Sequence, residues 1–180
     1  MERLKFATVW LGGCSGCHMS FLDMDEWLLE LAEKVDIVFT PLIDIKEYPA
    51  GVDVVLIEGA VANEKDLAML LKIRVNTKSI IALGDCAVTG NVTAMRNPLG
   101  NGDSCLERAY VELADINPSL PSEPGIMPKL LDKVLPIGHV VPVEHYITGC
   151  PPDAARIRQA LEALLEARSP LLTGKEIRFG

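Results

Sequence analysis

Residues 52–60 read VDVVLIEGA, an almost unbroken apolar run that ends in Glu58 and Gly59. Such a run is too short for a buried helix and too continuous for a strand with one wet face. It fits a strand covered on both faces, as in a parallel sheet. Similar short runs flank it: KFATVWL (5–11), VDIVFTPL (35–42) and KSIIALGD (78–85). EHYITG (144–149) is a fifth candidate strand.

Helical periodicity fills the gaps. Over residues 19–35, Phe21, Met24, Leu28, Leu31, Ala32 and Val35 recur at steps of three and four. Asp23, Glu26, Glu30 and Glu33 mark the opposite, solvated face. Residues 63–75 read as a second helix, parts of 87–115 as a third region, 129–135 as a short helix, and 153–167 as the last, N-capped by Asp153. Residues 117–128 contain four prolines and read as a loop. Strands that alternate with helices predict an α/β fold with a doubly wound, mostly parallel, flavodoxin-like sheet. With no repeat and no linker, residues 1–180 read as a single domain.

Composition narrows the function. The chain has 180 residues, 17 basic and 25 acidic, for a net charge of −8, and it carries no dense basic run. That argues against nucleic acid as a partner. No apolar stretch of about 18 residues occurs, so no membrane span is expected. The N-terminus reads as a first strand rather than a signal peptide, which predicts a cytoplasmic protein. A mean hydropathy of +0.24 suggests apolar surface covered by a partner.

Five cysteines in a reducing compartment read as metal ligands or reactive thiols before disulfides. Cys14 and Cys17 follow the first strand, in LGGCSGCHMS (11–20). Cys86 follows the fourth, in ALGDCAVTG, and Cys150 follows the last, in YITGCPP. Glu58 ends the third. In a doubly wound sheet these positions share the carboxyl edge, where sites form. Cys105, inside a predicted helix, does not fit and reads as a core residue.

Three explanations compete for the four cysteines. A redox pair would need only Cys14 and Cys17 and leaves two cysteines unexplained. A structural zinc site commonly draws on two close pairs, whereas one pair and two distant singles occur here. A [4Fe–4S] cluster takes four thiolates, and glycines beside them let the backbone approach closely; Gly13, Gly16, Gly84 and Gly149 are the candidates for these cluster loops. That last explanation accounts for most of the pattern. Around it, His18 and Glu58 are candidate supporting groups, and Asp85 adds negative charge beside Cys86. His139 and His145 read as structural.

These motifs carry a resemblance. CSGC after the first strand, IEG after the third, GDCAVTG after the fourth and GCPPD near the end resemble the small subunit of [NiFe] hydrogenases, over residues 5–168. More distantly they resemble the cluster subunits of respiratory complex I, which have adjacent rather than spaced cysteines in the first motif. GCHMSFLD and GDCAVTGNVTAMRNPLG look most like the soluble, bidirectional NAD-reducing members.

The resemblance implies one proximal [4Fe–4S] cluster on Cys14, Cys17, Cys86 and Cys150, with no catalytic residue in this chain. It implies a large subunit that holds nickel and iron, and diaphorase subunits with flavin and iron–sulfur clusters that handle NAD. Neither a twin-arginine signal nor ligands for further clusters are evident. The rival readings are a complex-I-like cluster subunit and a non-catalytic metal-binding module. VTGN (88–91) resembles a flavodoxin phosphate loop but follows the fourth strand instead of the first, so FMN in this chain is the weaker expectation. Tyr48, Trp10 and Trp27, which could flank a flavin, read more simply as core or interface.

Overall fold

The structure, a computed structural model, describes residues 3–166, 168 and 174. Five strands form one parallel sheet: β1 (Leu4–Trp10), β2 (Val35–Phe39), β3 (Val52–Glu58), β5 (Thr77–Leu83) and β7 (His145–Ile147). Their order is β2-β1-β3-β5-β7, the doubly wound arrangement expected. The chain leaves β1 in one direction and returns on its other side, so strand order reverses between β1 and β3.

Alternation along the central strands divides the core. Ala7, Val9, Val55, Ile57, Ile80 and Ala82 face one side, where α3 (Glu64–Asn76) packs through Leu70 and Ile73. Phe6, Leu56, Ile81 and Leu83 face the other, under α1 (Gly16–Leu22), α2 (Trp27–Lys34) and α6 (Ala154–Leu165). Leu56, Ile57, Ile80 and Ile81 are fully buried, each contributing about 1.5–3 kcal/mol of burial energy. The capping residue Asp153 accepts the Arg156 N–H at 2.8 Å, as its position before the last helix predicts. Ala167 and most of the tail from 169 to 180 lie outside the described residues.

Three expectations change. The single helix over 19–35 is two helices, α1 and α2, broken where Asp25 takes a left-handed φ of 47°. Trp27, at the start of α2, is 3% exposed, and the Arg158 guanidinium lies 5.4 Å over its ring. The acidic residues Asp23, Glu26, Glu30 and Glu33 are exposed as expected.

Residues 129–135 are no helix: Leu130–Leu135 is β6, paired antiparallel with β4 (Val61–Asn63). A short apolar run carries no period that separates helix from strand. Its partner does, and side chains from elsewhere complete it. Asn97 accepts the Val134 N–H at 2.8 Å and donates to its carbonyl at 2.9 Å, and Arg96 donates to Leu131 O at 2.7 Å.

The third region resolves into α4 (Asp85–Thr89), a 3-10 helix over Asn91–Leu99, α5 (Gly102–Glu107) and a π-helical turn over Arg108–Glu112. Asn97 and Pro98 lie in the last turn of the 3-10 helix. Among the described residues no helix is long and apolar enough to cross a membrane.

Candidate metal centre

The carboxyl ends of β1, β3, β5 and β7 carry four turns that bind one another. After β1 and β3, Gly12 N donates to Ala60 O at 2.9 Å and Ala60 N returns to Gly12 O at 2.8 Å. A side chain on Gly13 would meet Gly59 Cα at 3.1 Å, so these two turns touch backbone to backbone. After β5 and β7, Gly84 N donates to Ile147 O at 2.7 Å and Asp85 N to Gly149 O at 2.9 Å.

Each turn delivers a cysteine or a carboxylate. The chain leaves β1 through Ser15, in the left-handed region at φ 67°, and enters α1 with Cys17 in its first turn. Cys14 is exposed before the helix and Cys17 is buried inside it. Cys86 sits buried in the first turn of α4, and Cys150 lies exposed just past β7, ahead of a cis peptide bond to Pro151. Glu58, the last residue of β3, is 1% exposed.

The thiols share one neighbourhood. A Cβ on Gly84 would overlap Cys17 Sγ, and one on Gly16 would lie 3.3 Å from Cys14 Sγ. Gly84 also adopts φ 81° and ψ 162°, a backbone region open essentially to glycine alone. At Gly149, φ is 138° and a Cβ would press on Pro152.

Burial pushes the Cys17 thiol up, and the charges of Glu58, Cys14, Cys86 and Cys150 add to the rise. Burial raises Cys86 too, with Cys150, Cys14 and Glu58 contributing. Cys14, Cys86 and Cys150 are thus all close enough to act on Cys17. Cys105, half-buried on α5, is not among the groups that shift either thiol.

Both candidate supporting residues are here. The Glu58 carboxylate accepts the His18 backbone N–H at 2.9 Å and His18 Nδ1 at 2.5 Å, and lies 3.4 Å from the Cys17 N–H. His18 is 4% exposed, and its Nε2 is buried without a hydrogen-bond partner among the described residues.

Two contributors went unrecognised in sequence. Asp85, read there only as a nearby charge, is 4% exposed and accepts the Gly149 N–H at 2.6 Å. Ser20 donates to Pro152 O at 2.5 Å, joining α1 to the turn after Cys150. Nothing local marks Ser20; Asp85 beside a cysteine at a strand end was the available signal.

The remaining candidates lie elsewhere. VTGN runs from the end of α4 into the 3-10 helix, behind β5. Tyr48 and Trp27 are core residues, Trp10 is 48% exposed, His139 is exposed, and His145 is half-buried on β7.

Known proteins resemble this chain over nearly its whole length. The family described as NADH ubiquinone oxidoreductase, 20 Kd subunit, matches residues 14–164. The NAD-reducing hydrogenase HoxS subunit delta of Cupriavidus necator is 42% identical over 170 residues, covering 92% of this chain and 80% of that protein. An F420-non-reducing hydrogenase subunit of Methanothermobacter thermautotrophicus is 37% identical over 186 residues, covering 99% of this chain but 56% of its own length. A chain of a crystal structure of an NAD+-reducing [NiFe]-hydrogenase in the H2-reduced state superposes with a TM-score of 0.93. It is 36% identical, with 99% of this chain and all of that one covered.

Proposed function

The chain belongs to the family of the NADH ubiquinone oxidoreductase 20 Kd subunit, with hydrogenase subunits as its relatives, and from that premise we propose that it is an electron-transfer small subunit of a [NiFe] hydrogenase. In this reading it carries one proximal [4Fe–4S] cluster on Cys14, Cys17, Cys86 and Cys150. It relays electrons between the nickel–iron site of a large subunit and a diaphorase module that exchanges them with NAD. The whole chain acts as one cytoplasmic domain, and FMN belongs to another subunit.

The observation that carries this reading is the delivery of four cysteines, in three separate turns, to one sheet edge. The donor set is all sulfur, and Cys17 Sγ packs directly against Gly84, where only a glycine leaves it room. When bound, the cluster supplies one-electron redox chemistry.

This chain's own residues supply the setting. Cys17 and Cys86 are the buried pair and Cys14 and Cys150 the exposed pair, so the open side of the site looks outward, toward the large subunit. Met19 on α1, and Val92, Met95 and Leu99 on the 3-10 helix that continues from α4, are exposed apolar side chains that a large subunit would cover. The complex-I-like alternative draws on the family match, but Cys14 and Cys17 are spaced rather than adjacent.

Iron, zinc and acid-labile sulfide, measured in the complex purified anaerobically, test the reading. Four iron and four sulfide assigned to this chain are expected, with a reduced-state EPR signal lost in Cys150→Ser. Zinc without sulfide would overturn it.

A further inference from the structure

Glu58 presents a problem that the cysteines alone do not explain. It is 1% exposed at the end of β3, and burying a carboxylate costs several kcal/mol unless donors surround it. Its donors come from the first turn of α1: the His18 N–H at 2.9 Å, the His18 ring at 2.5 Å and the Cys17 N–H at 3.4 Å. First-turn amides lack partners inside their own helix. Beside a cluster such donors would turn to its sulfur atoms, the contacts that raise a cluster's potential. Here a side chain from another strand engages them.

The geometry points to Glu58 as a positioning residue for the cluster, acting through Cys17: it fixes the turn that carries this ligand, withholds its amides from the sulfur atoms, and keeps a negative charge against it. This inference rests on the cluster reading above. Two observations support it independently of that reading's ligand count. The Glu58 backbone is locked, because Leu11 N donates to Glu58 O at 2.8 Å and Gly59 follows at φ 90°. The far nitrogen of His18 has no partner among the described residues, so the ring takes its orientation from Glu58. Negative charge and withheld donors both favour the oxidised cluster and lower its potential.

The test is an anaerobic redox titration of the intact complex, followed by EPR, with iron and sulfide measured on the same samples. Glu58→Gln keeps the size and an acceptor oxygen but loses the charge, so the midpoint potential should rise while the wild type holds its lower value. Glu58→Asp keeps the charge on a shorter arm. It should alter the EPR line shape of the reduced cluster while its midpoint stays nearer the wild type than that of Glu58→Gln. A wild-type midpoint in Glu58→Gln overturns the inference. If that variant fails to assemble, Glu58→Asp with both a wild-type midpoint and a wild-type line shape overturns it. A wild-type complex with no iron or sulfide on this chain overturns the cluster reading itself, a result distinct from a cluster that ignores Glu58.

Discussion

Asp85 and Gly149 hold each other twice: the Asp85 carboxylate accepts the Gly149 N–H at 2.6 Å, and the Gly149 carbonyl accepts the Asp85 N–H at 2.9 Å. The residues that follow them are Cys86 and Cys150. One reciprocal contact therefore sets the spacing of two proposed ligands that lie on different turns.

Asp85→Ala leaves the buried Gly149 N–H without its acceptor, at a cost of about 1–3 kcal/mol. Asp85→Asn keeps an acceptor oxygen and should lose less. Thermal unfolding of the two variants should rank Ala below Asn below wild type, and iron content should follow the same order. Equal unfolding temperatures for Ala and wild type would show that the contact contributes little.

Gly84→Ala places a Cβ against Cys17 Sγ, at a backbone conformation that costs a non-glycine residue roughly 1–3 kcal/mol. The clash is local to the site, because Leu83 before it is already locked in the sheet beside Glu58. The variant should keep the far-UV circular dichroism of the wild type and lose most of its iron. Full iron occupancy would mean that Cys17 is not held where the turn places it.

Burial depresses the pKa of His145 below its ordinary 6.5, against a smaller opposing pull from Glu144. A ring the fold prefers neutral contributes its stability in full above about pH 6.5. That contribution is lost as pH falls through the lowered folded value. His145→Gln should therefore flatten the decline in unfolding temperature on the acid side of pH 6.5 and leave neutral pH nearly unchanged. An identical slope in both proteins would assign the acid sensitivity to other groups.

Met95 is 70% exposed, between Val92 at 56% and Leu99 at 73%. The helix beneath is pinned through Arg96 and Asn97 to β4 and β6, so the stripe is held in place. Met95→Glu should leave the chain's own stability within about 0.5 kcal/mol. It should reduce recovery of the large subunit with a tagged small subunit at least about tenfold, the effect of roughly 1.4 kcal/mol of lost contact. Unchanged recovery would place the large subunit on another face.

Much of the molecule was legible from sequence. The apolar runs at 52–58 and 78–83 declare strands buried on both faces, and alternation with helices declares a parallel sheet. From there, Cys14, Cys17, Cys86, Cys150 and Glu58 follow to one edge, because parallel strands all end on the same side. These are properties of local composition and chain direction, which a linear sequence carries.

Tertiary structure decided what depends on distant partners. Leu130–Leu135 became a strand because Val61–Asn63 and Asn97 were there to bond it. Asp85 found Gly149, Ser20 found Pro152, and Glu58 found the amides of Cys17 and His18 only once the sheet had brought their turns together. A hydrogen bond is made or lost within a few tenths of an ångström, and no spacing along the chain encodes separations that fine between turns tens of residues apart.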